Sequence, residues 1–406
     1  MNGPAPDRRG TPFPVPLYLN AALGAFGVAL AHAEKSEAPD IWPADFRARI
    51  DEASIRATRQ DVAIAGIDRL LAMIKGIETW RAHPYTRHDP DRPVLWQRGN
   101  VRLLDCAPQA PSGAPRLLLV PSLINRAYIL DLKPGCSFVD WLSDAGLYPV
   151  LLDWGDVSGA ECGFSLSDYL RLRLLPAAQS LAATGGLSVL GYCLGGTMAL
   201  ALAQEMGPKV QRLGLLGTPW DFSQVSDLTQ ALIAASRPQM SENLRLLANV
   251  PPTSQATIPG AFFQLLFAAI APMQAARKFR RFADLAPESA EAEHFVAVEE
   301  WLSDPVPVAA RAGQELLADF YLKNAPGNGA WEPAGTPIKP AEISTPTLSL
   351  IGARDHIAPA ACSATLRHLM PNTASHVIET GHVGLIVGSR AKLEVAAPLA
   401  THFGAI

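Results

Sequence analysis

The sequence predicts an α/β fold with a mostly parallel sheet, an inserted helical cap and a helical N-terminal extension. Two observations predict this class. Between Leu103 and Gly217, short apolar runs of strand length alternate with segments of helical length, and such alternation implies a parallel sheet covered by helices on both faces. The alternation stops near Pro219 and resumes only at Thr345, so the residues between them form an insertion.

The predicted elements divide the chain into four parts. Residues 1–95 form a helical N-terminal region, in which 61–80 carry apolar residues at helical spacing. Residues 96–221 and 335–406 form the two parts of the core, and the cap at 222–334 separates them. The predicted core strands are 117–121, 148–154, 187–190, 213–217, 347–352 and 375–379, and the predicted core helices are 138–145, 166–183 and a helix that begins near residue 197.

An apolar run at residues 15–31 follows Arg8 and Arg9, which is the pattern of a secretory signal peptide. Pro16 and Gly24 interrupt the run, which is also shorter than the roughly 20 residues that a membrane span requires. We therefore expect an amphipathic or packing helix here rather than an export signal.

Composition excludes several function classes. The 406 residues include 34 basic and 38 acidic side chains, a net charge of −4 without a basic block, which argues against nucleic-acid binding. The five cysteines are widely spaced and form no C-x-x-C pair, as is usual in a reducing compartment. No pair of histidines has metal-ligand spacing. We expect no metal, no cofactor and a cytoplasmic location.

Residues 191–196, with the sequence GYCLGG, lie between a predicted strand and a predicted helix. They have the G-x-nucleophile-x-G form of a nucleophile elbow, with cysteine in place of the usual serine. The glycines allow strand and helix to pack closely, and the positive end of the helix dipole favours the thiolate form of Cys193. A lone cysteine on such a turn is often only a small buried apolar residue. The assignment therefore depends on an acid and a histidine further along the chain.

Both partners follow, in the order nucleophile, acid, histidine that is typical of the α/β-hydrolase fold. Asp355 lies in a turn just past the predicted strand 347–352, where this fold places its acid. His382 lies in a glycine-flanked loop, one strand-helix-strand step further on. We therefore predict a catalytic triad of Cys193, Asp355 and His382, with His356 at the rim of the site.

Several segments together resemble the polyhydroxyalkanoate synthases. The box G-x-C-x-G-G of that family matches residues 191–196, and the resemblance runs from about Leu103 to the C-terminus. The other matching segments are 123–132, 153–155, 300–301, 319–321 and 381–384. The chain most resembles class III, whose enzymes have two subunits, although its N-terminal region is longer than a class III catalytic subunit usually has.

The resemblance implies an acyltransferase that polymerises (R)-3-hydroxyacyl-CoA into polyester and releases CoA. His382 would deprotonate Cys193, which would carry the acyl group as a covalent thioester. The backbone N–H of Leu194 and one from Leu123 or Ile124 would hold the oxyanion.

In this family, the acid has two candidate roles. Asp355 would either orient the histidine or help to activate the 3-hydroxyl group that attacks the next thioester. The resemblance further implies substrate contacts from Asn125, Tyr128, Asp131 and His356. The implied partners are the acyl-CoA, the growing polyester, a second synthase subunit or a second copy of the chain, and the surface of polymer granules.

Two other functions stay open on the sequence alone. A thioesterase or polyester depolymerase uses the same triad, because the exclusion of water depends on the cap rather than on the triad. A non-catalytic, granule-associated scaffold is the third reading, and the intact triad argues against it. Within the cap, the apolar run 262–267 either lines a substrate channel or forms the cap's own core.

Overall fold

The structure is a computed structural model and describes residues 59–87, 89–183, 185–225, 256–270 and 272–404. The helix predicted at 15–31 and the helical cap segment predicted near 228–235 lie outside the described residues. Among the described residues, no helix is both long enough and apolar enough to cross a membrane.

An eight-stranded, mostly parallel sheet forms the framework of the α/β part and confirms the predicted fold class. The strands of the described chain are β1 (Val94–Arg98), β2 (Val101–Asp105), β3 (Arg116–Val120), β4 (Asp131–Lys133), β5 (Cys136–Ser137), β6 (Tyr148–Asp153), β7 (Leu187–Tyr192), β8 (Val210–Leu216), β9 (Thr257–Ile258), β10 (Val308–Ala309), β11 (Thr347–Gly352) and β12 (Thr373–Ile378). The order in the large sheet is β1-β2-β6-β3-β7-β8-β11-β12. The six strands from β6 to β12 in this order are parallel, whereas β1 and β2 form an antiparallel hairpin at one edge.

The central strands are buried on both faces, which explains why they are continuous apolar runs in the sequence. Every residue of β7 and β11 is buried. The carboxyl ends of parallel strands meet at the same edge of a sheet. The loops that follow β7, β11 and β12 therefore lie at one end of the sheet.

Helices connect and cover the strands. They are α1 (Arg59–Ala82), α2 (Phe138–Asp144), α3 (Leu166–Tyr169), α4 (Leu175–Ala182), α5 (Leu194–Met206), α6 (Gly260–Ile270), α7 (Pro272–Phe282), α8 (Ala290–Leu302), α9 (Ala310–Gln314), α10 (Ala360–Leu369), α11 (Gly384–Val387) and α12 (Ala397–Phe403). Three π-helical segments also occur, at Leu170–Leu174, Glu315–Leu322 and Lys392–Ala396. The start of α3 is fixed by a capping box, in which the side chains of Ser165 and Asp168 each bond to the other's backbone.

The chain divides into two compact units, one made of Met1–Thr86 with Phe267–Ser303 and the other of Arg87–Leu266 with Asp304–Ile406. The first unit has its own core, which the helices α1, α7 and α8 share. This core consists of Met73, Ile77, Trp80, Ala276, Phe279, Phe282, Ala292 and Val296.

The apolar positions of α1 do not all face this core. Ile64, Ile67 and Leu71 are 50 to 58% exposed, whereas Met73 and Trp80 are buried. The helical period of this segment was therefore read correctly from the sequence, but the buried stripe lies on the other side of the helix from Ile64.

Part of the apolar run 262–267 on α6 belongs to a local core. Phe263 is buried and lies with Ile258 directly over Gly313 of α9. Leu265, two positions further on, is exposed. The channel role of this run stays a prediction.

Candidate active site

Cys193 lies at the sharp turn between β7 and α5. Its backbone has φ +55° and ψ −130°, and Asn324 is the one other non-glycine residue with positive φ in the described part of the chain. Such a conformation is strained for a residue with a Cβ and persists only where the surroundings fix it. The backbone N–H of Cys193 donates to Leu216 O at 2.9 Å, and its carbonyl accepts from Gly196 N–H at 2.8 Å. These bonds present the thiol in one defined direction, and the side chain is only partly buried.

The glycines of the elbow are required by close backbone packing. A methyl group on Gly191 would overlap the Cα of Gly196, and one on Gly195 would overlap the carbonyl oxygen of Val120. The turn therefore brings strand, nucleophile and helix closer together than any other residue allows.

Asp355 follows β11 and is almost completely buried. Its Oδ1 accepts hydrogen bonds from the backbone N–H groups of Ile357 at 2.9 Å and Ala358 at 2.8 Å. Its Oδ2 lies 2.6 Å from Nδ1 of His382. Two amides thus fix one carboxylate oxygen and leave the other aimed at the histidine.

His382 follows β12 and lies beside both the carboxylate and the thiol, since Asp355 and Cys193 both act on its ring. Because Nδ1 faces Asp355, the nitrogen that faces the thiol is Nε2. Burial alone would lower the pKa of His382, but the interactions with Asp355 and Cys193 and the hydrogen bond to Asp355 outweigh burial and raise this pKa well above its usual range. The raised pKa makes His382 a stronger base for the thiol proton.

Two residues that the sequence did not single out hold the histidine in place. Tyr192, the residue before the nucleophile, stacks on the His382 ring with centroids 5.0 Å apart, and its hydroxyl donates to His382 O at 3.3 Å. Gly217, with φ +51°, lies against the same ring, because a methyl group there would come within 3.3 Å of Nδ1. The place of Tyr192 inside the elbow motif was a usable signal, whereas Gly217 had none.

The predicted oxyanion donors are Leu194 at the elbow and one of two residues that follow β3. Leu194 is the first residue of α5, a helix of 13 residues whose dipole is positive at this end. Of the two candidates after β3, Ile124 already donates its N–H to Ser122 Oγ at 3.3 Å. Leu123 is therefore the stronger candidate for the second donor, and the oxyanion hole stays a prediction.

The other predicted substrate contacts are Asn125, Tyr128, Asp131 and His356. Asn125 forms a backbone bridge with Pro305, and His356 is exposed in the turn beside Asp355. Tyr128 donates its hydroxyl to Asp304 at 3.2 Å. Asp131 is buried and accepts from Arg92 and from the hydroxyl of Ser137. The ionic role of Asp131 is thus structural, and the contacts of these residues with substrate stay predictions.

Tyr128 and Asp131 line a charged cleft of about 830 Å³. Four arginines and six aspartates line it, so its net charge is negative. All four arginines are paired with carboxylates, as in the contacts of Arg102 with Asp153 at 2.5 Å and of Arg126 with Asp156 at 2.6 Å. The cleft is therefore a poor site for an anionic group such as a phosphate.

The other cysteines lack the setting of Cys193. Burial raises the pKa of Cys106 to about 12 and that of Cys362 to about 12, and it also raises the pKa of Cys136. All five cysteines are free thiols. In the described ranges, no group of three or more histidine, cysteine, aspartate or glutamate side chains is placed to hold a metal ion.

Comparison with known proteins places the chain in a family. The family model described as "alpha/beta hydrolase fold" matches residues 181–389, a span that contains Cys193, Asp355 and His382. This match covers slightly more than half of the chain.

Curated relatives are similar over a longer stretch. The poly(3-hydroxyalkanoate) polymerase subunit PhaC of Haloferax mediterranei is 28% identical over 305 residues, which are 73% of this chain and 60% of that protein. The proteins of the same name from Synechocystis sp. and Allochromatium vinosum are each 26% identical, over 76% and 70% of this chain. The chain covers 82% and 81% of these two relatives, but only 60% of the Haloferax protein.

Proposed function

The chain belongs to the α/β-hydrolase fold family, and on that premise we propose that it is a polyhydroxyalkanoate synthase, an acyltransferase that polymerises (R)-3-hydroxyacyl-CoA. The observation that carries the proposal is a cysteine on the nucleophile elbow, beside a histidine that an aspartate orients. The similarity to proteins named poly(3-hydroxyalkanoate) polymerase supports the same reaction.

The first step is acyl transfer to the thiol. Nε2 of His382 takes the proton of Cys193, and the thiolate attacks the carbonyl carbon of the CoA thioester. The backbone N–H groups of Leu194 and Leu123 stabilise the negative oxygen of the tetrahedral intermediate. Its collapse breaks the bond to the CoA sulfur, which takes the proton from His382 and leaves as a thiol.

The second step lengthens the polymer. The 3-hydroxyl group of one acyl unit gives its proton to His382 and attacks the thioester carbon of another, forming an ester bond. The sulfur that leaves, of Cys193 or of CoA, takes this proton from His382 and becomes a thiol. Both oxygens of Asp355 are already occupied, by two amides and by His382. We therefore assign the activation of the hydroxyl to His382 and treat Asp355 as the residue that positions it.

A cysteine suits this sequence of steps. Exchange of an acyl group between CoA and a cysteine replaces one thioester by another of similar free energy, so the enzyme stores the acyl group without a large loss. The growing polyester, granule surfaces and a second subunit are the partners that this function would require.

The experiment is a product balance. Purified protein, alone and with a candidate second subunit, is given 3-hydroxybutyryl-CoA, and released CoA, polyester and free 3-hydroxybutyrate are quantified by chromatography. We expect CoA release with polyester as the main product, no release from Cys193→Ala, and normal release from Cys136→Ala. Free 3-hydroxybutyrate in stoichiometric amount with CoA would show that the protein is a thioesterase and not a synthase.

A further inference from the structure

Tyr321 lies in the π-helical segment Glu315–Leu322, which is anchored at both ends. At its start, the carboxylate of Glu315 accepts the backbone N–H of Leu166 at 2.9 Å and the indole N–H of Trp331 at 3.1 Å. Beyond its end, the side chain of Asn324 accepts the N–H of Phe222 at 2.8 Å. π-helical turns are rare and occur frequently at functional sites.

The ring of Tyr321 packs edge-on against Phe222, with centroids 4.9 Å apart. Phe222 ends a short segment that begins at Gly217, which lies against the His382 ring. Along this segment, the N–H of Trp220 donates to Cys362 O at 3.3 Å. The segment 217–222 therefore lies against the His382 ring at one end and against the Tyr321 ring at the other.

The electrostatic surroundings of Tyr321 agree with this position. Burial raises its pKa well above the ordinary value for tyrosine, and the neighbouring side chains of Cys193, Cys362 and Asp355 raise it further. The phenol therefore stays protonated at neutral pH, and a neutral hydroxyl both donates and accepts hydrogen bonds. Within the described ranges, the hydroxyl has no hydrogen-bond partner in the protein.

We propose that the Tyr321 hydroxyl binds the 3-hydroxyl group of the acyl chain and makes the site selective for 3-hydroxyacyl over plain acyl thioesters. The inference rests on the proposed function and adds a specificity-determining residue to it. The backbone N–H groups of Leu194 and Leu123 bind the oxygen of the thioester carbonyl. The 3-hydroxyl group needs a different partner, and the Tyr321 hydroxyl can both donate a hydrogen bond to it and accept one from it. A site built to hydrogen-bond a substrate hydroxyl rejects the analogue that lacks it.

The test compares two substrates in a single turnover. Acylation of Cys193 by 3-hydroxybutyryl-CoA and by butyryl-CoA is followed by mass spectrometry in the wild type, in Tyr321→Phe and in Tyr169→Phe. Tyr321→Phe keeps the ring that packs on Phe222 and removes only the hydroxyl. Tyr169 is a matched control, because it is a buried tyrosine whose ring packs against Trp154 and Phe164.

We expect Tyr321→Phe to slow acylation by 3-hydroxybutyryl-CoA about 10-fold, to leave butyryl-CoA unchanged and so to remove most of the selectivity. Tyr169→Phe should leave the ratio of the two rates as in the wild type. Equal slowing of both substrates, or an unchanged ratio in Tyr321→Phe, would overturn the assignment. A different result would contradict the proposed function itself, namely a wild type that forms no acyl-Cys193 from 3-hydroxybutyryl-CoA.

Discussion

Asp355 and His382 meet across 2.6 Å, from Oδ2 to Nδ1, while the second carboxylate oxygen accepts two backbone amides. This relationship specifies the proton positions of the site. Since Oδ2 only accepts, Nδ1 must carry a hydrogen. The nitrogen that remains for the thiol proton is therefore Nε2.

The first prediction concerns Asp355→Asn. If the amide oxygen accepts the N–H groups of Ile357 and Ala358, the amide NH2 faces His382 Nδ1 and forces the proton onto Nε2, which then cannot accept the proton of Cys193. We expect a loss of acylation of the order of 10³ to 10⁴-fold, and a loss of chain elongation of the same size. Acylation that survives in Asp355→Asn while elongation stops would instead assign the acid to the 3-hydroxyl group. Single-turnover acylation and multiple-turnover CoA release distinguish the two.

The second prediction concerns pH and stability. The pKa of His382 is raised in the folded protein, so its stabilisation is fully present below the ordinary histidine pKa of about 6.5 and is lost as pH rises through the higher folded value. The melting temperature of the wild type should therefore exceed that of His382→Gln most at pH 6, and the difference should shrink as pH rises. A difference that grows with pH would contradict the raised pKa.

His402 provides the opposite case within the same chain. Burial lowers its pKa, so its contribution to stability is present above pH 6.5 and is lost as pH falls. In the same melting series, the advantage of the wild type over His402→Gln should thus be smallest at low pH.

The third prediction concerns thiol reactivity. The thiolate is the reactive form, and burial that raises the pKa keeps Cys106 and Cys362 protonated. With limiting iodoacetamide at pH 7.5, we expect Cys193 to be alkylated first and Cys136 second. Peptide mapping measures the order. Early modification of Cys106 or Cys362 would show that these sites open in solution.

The fourth prediction concerns the buried amide of Gln264 on α6. Its side chain is 8% exposed, and neither amide atom has a hydrogen-bond partner among the residues that the structure describes. Because an unpaired buried amide is costly, Gln264→Met should stabilise the protein by about 1 to 2 kcal/mol in urea unfolding.

Gln204 is the matched control for this substitution. It donates to Pro337 O at 3.0 Å and accepts from Lys339 N–H at 2.7 Å, so Gln204→Met should destabilise the protein. Destabilisation by Gln264→Met as well would show that its amide has a partner in solution.

The parallel sheet and the order of the triad were predictable from sequence because each rests on local chemistry. Buried parallel strands read as apolar runs, and the elbow at Cys193 requires small residues within four positions of the nucleophile. The hairpin of β1 and β2 was missed. Val94 and Leu95 in β1 are both exposed, and this strand shows neither a buried run nor a clean alternation.

The surroundings of the triad were not predictable, because they depend on which residues the folded chain brings together. Tyr321 was visible only as part of a matching segment, and its neighbours Phe222 and Cys362 come from distant parts of the sequence. Asp131 was predicted to contact the substrate, and in the structure it bonds to Arg92. A charged residue gives the same sequence signal in either role.

The three triad residues follow different strands, and Tyr192 and His382 are 190 positions apart in the chain. During translation, at roughly 5 to 20 residues per second, the nucleophile therefore leaves the ribosome about 10 to 40 s before its base. On the proposed mechanism, a nascent chain that ends before His382 has its thiol but no base for the thiol proton, so it cannot yet react with acyl-CoA. Because the order of the strands places the histidine late in the chain, the reaction can begin only after almost the whole chain has been synthesised.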